Sequence, residues 1–250
     1  MSSKVFIVTG ASKGIGAAIT QRLLSQGNKV VLTARSKDAL EAVKSSHPGR
    51  VEYVAGDMTD AGISEKIVAA AVSAFGRVDG LVINHGILSP NKLSEAPIEE
   101  VRHVYDVNVF SYLAIAKAAL DELRTSKGSI VWISSGAASK AYAAWGAYGS
   151  SKAAVNSLSG HFAAEEKDIT SIAIAPGRVN TDMQADIRAQ GKERMDKAQY
   201  ENFVEAFTTG ILLKPEQPGY VVADLVAKPA KELSGKFLNW NSPELAAYQQ

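Results

Sequence analysis

The 250-residue sequence contains no cysteine, which excludes disulfide bonds, thiolate catalysis and cysteine-ligated metal. Its 27 Lys and Arg residues balance 26 Asp and Glu residues without any basic or acidic block, so neither nucleic acid nor an anionic membrane is an expected partner. The four histidines lack the spacing of metal ligands, and we expect no metal site. No apolar run approaches the ~20 residues that span a bilayer, which favours a cytoplasmic location.

Short apolar runs alternate with longer amphipathic stretches along the chain. Seven runs are typical of strands, and several are rich in Val and Ile, as expected for strands buried on both faces: KVFIVTG, KVVLTA, VEYVAG, DGLVINHG, GSIVWISS, TSIAIAPG and GKFLNW. Helical patterns cover 14–26, 37–46, 60–75, 97–123, 146–167 and 216–228. This order predicts one α/β domain over 1–250, a Rossmann-type doubly wound parallel sheet of about seven strands. The polar segment 182–213, with scattered Met and aromatic residues, is predicted to be a lid.

A glycine-rich turn, TGASKGIG, joins the first strand to the first helix. Gly10 permits a sharp turn, Gly14 allows the backbone to approach a pyrophosphate, and Gly16 allows the helix to pack on the strand. The helix N-terminus offers free N–H groups to a phosphate. An ordinary loop is the alternative, but the position between strand and helix favours a dinucleotide site that includes Ser12 and Ile15.

The second strand ends in Thr33-Ala34-Arg35-Ser36, with no acidic residue to bind ribose hydroxyls. Arg35 and Ser36 suit a 2′-phosphate, because a guanidinium forms charge-assisted hydrogen bonds with phosphate oxygens. Lys13 in the glycine turn is able to reach the same place. Alone, Arg35 would be taken as a solvated residue at a helix start; together these features favour NADP(H) as the cofactor.

Polar residues also follow the third and fourth strands. Asp57 is placed to accept from an adenine amino group beside the backbone N–H of Met58, although a helix N-cap is the alternative. Asn84 and Gly86 form a polar turn beside the cofactor. We interpret His85, between them, as a wall residue rather than an acid or base.

A tyrosine and a lysine stand four residues apart in the small-residue stretch AYGSSKAAV, and therefore lie on one helix face. A free tyrosine is a poor acid near neutral pH, and the Lys152 cation would help Tyr148 by stabilising its phenolate. Ser135 ends the fifth strand, so Ser135 and Tyr148 are expected to meet above the sheet.

Taken together, TG-x-x-x-G-x-G, Asn84 with Gly86, Asn108, Ser135 and Tyr148-x-x-x-Lys152 resemble the short-chain dehydrogenase/reductase family, in order over nearly the whole chain. Within that family the sequence is most similar to carbonyl reductases of the sepiapterin-reductase and fungal benzil-reductase type. The ending NWNSPEL departs from the glycine-rich ending of tetrameric members.

The resemblance implies a role for each matching position. Tyr148 would be the general acid in carbonyl reduction, Ser135 would bind the substrate carbonyl, and Lys152 would bind the nicotinamide ribose and lower the tyrosine pKa. Asn108 would hold a water that feeds the proton relay. Pro176, Gly177, Val179 and Thr181 would line the nicotinamide, with Thr181 bonding its amide or the phosphates.

The expected substrate is an apolar, aryl-bearing ketone or vicinal diketone. Trp145 stands one helical turn before Tyr148 and is expected to face the carbonyl site, near Ala137. Met183, with Phe203 or Phe207, would cover a flat ring from the lid. Trp145 as a plain core residue is the alternative.

Two other functions compete with NADPH-dependent reduction, an NAD-linked alcohol dehydrogenase and a non-catalytic dinucleotide sensor. The apolar faces of 97–123 and 146–167 predict a homodimer, with a tetramer possible.

Overall fold

Seven short runs of apolar residues form one parallel sheet in the structure, a computed structural model that describes residues 3–249. The strands are β1 (Val5–Thr9), β2 (Lys29–Ala34), β3 (Val51–Ala55), β4 (Gly80–Ile83), β5 (Ser129–Ile133), β6 (Thr170–Ala175) and β7 (Phe237–Asn239). Their order across the sheet is β3-β2-β1-β4-β5-β6-β7, and every pair is parallel. The predicted doubly wound sheet is confirmed.

Helices lie in each stretch that was predicted to be helical, and also within the predicted lid. They are α1 (Gly14–Ser25), α2 (Lys37–Ser46), α3 (Ile63–Phe75), α4 (Ile98–Tyr105), α5 (Ser111–Ala118), α6 (Leu120–Ser126), α7 (Gly146–Glu165), α8 (Asp182–Gln190), α9 (Lys197–Thr208) and α10 (Glu216–Ala227). α8 and α9 lie within 182–213. α3 begins three residues later than predicted, because Gly62 has a left-handed φ of 76° that a helix does not accommodate.

Two apolar layers hold the helices on the sheet, since successive side chains of a strand point to opposite faces. Phe6 and Val8 of β1 belong to the layer shared with α1 and α10, whereas Ile7 belongs to the layer shared with α3, α5 and α7. Each is completely buried. Burial of such a side chain stabilises the fold by about 1.5–3 kcal/mol.

The helix predicted over 97–123 is not continuous. A π-helical turn, Asp106–Phe110, separates α4 from α5, and a break at Ala119 separates α5 from α6. The wider turn carries Asn108 into the interior, where its side chain is completely buried. Such π-turns are often found at functional sites.

Strand order reverses between β1 and β4, which both lie at the centre of the sheet. In an open parallel sheet, ligands bind beyond the carboxyl ends of the strands at this reversal. The turns after β1, β4 and β5 therefore form the candidate site.

Candidate active site

Ser135, which follows β5, lies beside Tyr148 of α7. Ser135 follows β5 in extended backbone, and its Oγ accepts from the N–H of Ala137 at 3.1 Å. α7 approaches this turn so closely that a Cβ on Gly149 would lie 2.8 Å from the Ala137 carbonyl oxygen. Tyr148, only 7% exposed, sits in the first turn of α7. Burial raises the pKa of the Tyr148 phenol, and a hydrogen bond with Ser135 opposes this rise.

Lys152 lies one turn after Tyr148 and is 3% exposed. Its Nζ donates to the Ile133 carbonyl at 2.8 Å and to Tyr112 Oη at 3.0 Å. None of the carboxylates in residues 3–249 forms an ion pair with it. Burial lowers the pKa of Lys152 to about 7, so its charge changes near neutral pH.

Tyr112 is a site residue that sequence reasoning missed, because it stands in YLAIAKAAL, a stretch whose pattern indicates only an apolar helix face. It is completely buried on α5, and its hydroxyl donates to the His85 carbonyl. Burial raises the pKa of the Tyr112 phenol well above its ordinary value. The one available signal was a tyrosine four residues after Asn108, on the same helix face.

Asn108 fastens the turn after β4 to α7. Its Oδ1 accepts from the N–H of Ile87 at 2.9 Å, and its Nδ2 donates to the Ile87 carbonyl at 2.9 Å and to Ser151 Oγ at 3.1 Å. The side-chain amide thus joins the turn after β4 to α7 through three hydrogen bonds. A Cβ on Gly86 would lie 3.1 Å from Asn108 Oδ1 and 3.6 Å from Lys152 Nζ, so a side chain there would crowd the Asn108 amide.

Asn84 and His85 support the glycine turn from below. Asn84 Nδ2 donates to the carbonyls of Thr9 and Gly10, at 3.1 and 3.2 Å. His85 lies between Thr9 Oγ1 and Ser111 Oγ, 2.7 Å from each. Because Ser111 Oγ also lies 2.6 Å from the Val107 carbonyl and donates to it, we assign the imidazole proton to Nε2. Burial and the Lys152 charge lower the pKa of His85 to about 3, consistent with a neutral wall residue.

The glycine turn combines a left-handed backbone with a very close approach of α1. Gly10 and Gly14 have φ of 63° and 55°, and a Cβ on Gly16 would lie 2.2 Å from the Gly10 carbonyl oxygen. The N-terminus of α1 has no side-chain cap and no acidic residue in its first turn. Within α1 itself, no acidic side chain of the first turn therefore competes for its N-terminal N–H groups.

Lys13 has a partner that the sequence did not predict. Its ammonium forms an ion pair with Asp182, at the start of α8, while the Thr181 methyl lies 3.1 Å from where a Gly14 Cβ would stand. The segment after β6 thus crosses the glycine turn. Both side chains of the ion pair are more than two-thirds exposed, so the pair contributes at most about 1 kcal/mol to the stability of the fold.

Polar residues follow β2 and β3 at the carboxyl edge of the sheet. Arg35 is exposed at the end of β2, and Ser36 precedes α2 without capping it through its side chain. Asp57 accepts from the Thr59 N–H and hydroxyl at 2.9 and 2.7 Å. These bonds, and to a lesser degree the Arg35 charge, lower the pKa of the Asp57 carboxyl. Asp57 does not cap α3, whose N-cap is Gly62.

The remaining residues that were predicted to contact the cofactor lie in the glycine turn, after β3 and after β6. Met58 is buried with its sulfur 3.8 Å from Thr33 Oγ1. Ser12 and Ile15 are half-buried in the glycine turn. Pro176, Gly177, Val179 and Thr181 follow β6 at the same edge of the sheet.

Tyr148 belongs to an apolar cluster, and Met183 packs against this cluster. The apolar cluster is defined here as Ala137, Trp145, Tyr148, Ile187, Met195 and Phe203. The Trp145 ring lies 5.8 Å from that of Tyr148 and 5.1 Å from that of Phe203. Phe207 lies outside the cluster, 48% exposed beneath the Arg188 guanidinium. Trp145 Nε1 is buried and has no hydrogen-bond partner within residues 3–249.

Comparison with known proteins identifies this arrangement. The sequence model of the family described as short chain dehydrogenase matches residues 4–192. The crystal structure of YIR035C, a short chain dehydrogenase/reductase from Saccharomyces cerevisiae, is 37% identical and superposes with a TM-score of 0.97 over 99% of this chain and 100% of that one. The benzil reductase ((S)-benzoin forming) IRC24 of Saccharomyces cerevisiae is 35% identical over 98% of this chain and 99% of its own.

A structure of a variant actinorhodin polyketide ketoreductase with NADPH is 26% identical, with a TM-score of 0.84 over 95% of each chain. Within the part of the chain that the structure describes, none of the helices combines the length and the apolar composition that a membrane span requires. Nor is any group of three or more His, Asp or Glu side chains among those residues arranged to hold a metal ion.

Proposed function

The chain belongs to the short chain dehydrogenase family of oxidoreductases, and we propose that it is an NADPH-dependent carbonyl reductase of apolar, aryl-bearing ketones and vicinal diketones. One observation carries the proposal: a buried tyrosine lies against Ser135 and one helical turn from a buried lysine, beneath an apolar cluster. The relative that reduces benzil agrees with such a substrate.

Each polar residue at the centre has one task in this proposal. Tyr148 Oη donates a proton to the carbonyl oxygen of the substrate. Ser135 Oγ, which accepts from Ala137, has its own proton available for the same oxygen. Lys152 stabilises the phenolate that Tyr148 leaves behind, and Asn108 fixes the turn beside both through Ile87 and Ser151.

The nicotinamide cofactor supplies the hydride when bound, and the chain offers it a fitting cradle. The left-handed glycines of the turn leave no side chain over the open N-terminus of α1. Cofactor contacts are assigned to Gly10, Ser12, Lys13, Gly14, Ile15, Gly16, Arg35, Ser36, Asp57, Met58, Asn84, Gly86, Tyr148, Lys152, Pro176, Gly177, Val179 and Thr181. Arg35, exposed where no acid follows β2, favours NADPH over NADH.

The substrate assignment rests on the apolar cluster. Aromatic and aliphatic side chains surround the tyrosine on the lid side, and a flat ring would bury its surface against Trp145 and Phe203. The unpartnered Trp145 N–H offers a donor to a second oxygen, such as the other carbonyl of a vicinal diketone. We assign the pocket to Ser135, Ala137, Trp145, Tyr148 and Met183.

The chain is proposed to act as one domain with 182–213 as its lid, as a homodimer in the cytoplasm. Phe110, 58% exposed between α4 and α5, supports an interface on that face.

Oxidation of an alcohol by the same residues is the second candidate function. The choice between NADPH and NADH is tested by the assay below.

The test compares kcat/KM for benzil with that for a hydrophilic keto-sugar, using NADPH and NADH. A matched pair on α9 probes the pocket: Phe203, 2% exposed in the cluster, and Phe207, which lies outside it. Phe203→Ala should lower kcat/KM for benzil about tenfold or more, since burial of a phenyl ring contributes roughly 1.5–3 kcal/mol. Phe207→Ala should leave it within about twofold. Preference for the sugar, or equal effects of the two variants, contradicts the substrate assignment.

A further inference from the structure

The Lys152 ammonium is held by two neutral oxygens. One is the backbone carbonyl of Ile133, at 2.8 Å, and the other is the hydroxyl of Tyr112, at 3.0 Å. A buried ammonium needs such acceptors, because burial otherwise favours its neutral form. Only the Tyr112 contact comes from a side chain, so it is the one that a substitution removes.

Tyr112 is oriented to accept from the ammonium. Its own proton is directed to the His85 carbonyl, which leaves the oxygen lone pairs for Lys152. The ring is fixed on both sides, with centroids 4.7 Å from that of His85 and 6.5 Å from that of Trp132. Lys152 Nζ lies 4.6 Å from the centre of the Tyr112 ring and 3.0 Å from its oxygen, so the ammonium is at the hydroxyl edge of the ring.

We propose that Tyr112 is a positioning residue of the reductase centre, whose hydroxyl holds the protonated Lys152 ammonium beside Tyr148. This inference rests on the proposed function. Tyr112 acts through Lys152 and makes no contact with the reacting atoms. A tyrosine used only for packing would not need to place its oxygen on the ammonium.

The charges around Lys152 determine how the Tyr112 hydroxyl affects the pKa of Lys152. The titratable groups facing it are Tyr148 on α7, Tyr112 on α5 and His85 after β4, and all three are neutral near pH 7. The Lys152 pKa of about 7 therefore depends on burial against neutral acceptors. Loss of one acceptor lowers that pKa further, and the ammonium is then lost at lower pH.

Reduction should weaken as Lys152 loses its proton, because the phenolate of Tyr148 then lacks its cation. Tyr112→Phe keeps the ring and removes the hydroxyl alone. We expect the alkaline limb of its kcat/KM profile to move down by about one pH unit, since a hydrogen bond to a charged group is lost. At pH values above the limb the rate should fall about tenfold, with a small deficit below it.

Tyr248→Phe is the matched control, because Tyr248 also donates to a backbone carbonyl, that of Lys228 at 2.8 Å, far from the site. Its profile should overlay that of the native protein. Tyr112→Met, whose flexible side chain fills the cavity differently, is a second hydroxyl-free variant and decides the matter if Tyr112→Phe does not fold.

Tyr148→Phe, measured in parallel, separates the two proposals. If it is inactive while Tyr112→Phe keeps the native limb, the Tyr112 inference is overturned and the proposed function stands. A uniform loss at every pH in Tyr112→Phe also overturns the inference, because packing alone explains it. Native activity in Tyr148→Phe overturns the proposed function itself.

Discussion

Replacing Asn108 by Ala tests how much the hydrogen bonds of this side chain, which join the turn after β4 to α7, contribute to stability. The variant removes three hydrogen bonds, two with the backbone of Ile87 and one with Ser151, from a completely buried side chain. At about 1 kcal/mol each, the free energy of unfolding should fall by about 3 kcal/mol. For a chain of this size the melting temperature should then fall by about 6–12 °C.

The assay is thermal unfolding by calorimetry at pH 7, with kcat measured below the transition. Asn156→Ala is the control, because Asn156 Oδ1 is buried on α7 without a hydrogen-bond partner among the described residues, so its loss should cost less than about 0.5 kcal/mol. A melting temperature for Asn108→Ala that matches the control would refute this contribution.

Other perturbations probe the proposed cofactor site, His85 and the assembly. Arg35→Asp should weaken NADPH binding and relatively favour NADH, because a carboxylate repels the 2′-phosphate; an unchanged preference in titrations rules the assignment out. Asp182→Asn releases Lys13 and should tighten NADPH binding up to about fivefold; equal or weaker binding counts against a phosphate role for Lys13. The pKa of His85 is about 3 in the folded protein and about 6.5 in the unfolded chain. The unfolded chain therefore binds the proton more readily, and the folded protein loses stability as the pH falls below about 6.5. From pH 7 to pH 5, protonation of His85 in the unfolded chain should lower the free energy of unfolding by about 2 kcal/mol. This loss should be absent from His85→Gln and should remain in a variant of the exposed His161. Sedimentation at micromolar concentration should give a dimer; a monomer contradicts the proposed interface.

The sheet and the glycine turn were predictable because their signals are local. Val/Ile runs are typical of buried strands, and the spacing of Gly10, Gly14 and Gly16 between a strand and a helix favours a tight turn into that helix. The placement of Tyr148 and Lys152 on one helix was predictable for the same reason, since residues four apart share a helix face.

The contacts that were missed join residues distant in sequence. Lys13 and Asp182 stand 169 residues apart, and Tyr112 and Lys152 stand 40 apart. No periodicity signals such pairs. The π-turn at Asn108 was also missed, because the segment Asp106–Phe110 contains no glycine or proline to mark an irregular turn inside the helical pattern.

The most direct test of the account measures kcat/KM for benzil with NADPH in the native protein and in Tyr148→Phe, with NADPH affinity determined in both. Phe keeps the ring in the apolar cluster and removes only the proton donor. The account predicts native affinity for NADPH and a fall in kcat/KM of about 10²–10⁴. Reduction by Tyr148→Phe at close to the native rate would contradict it.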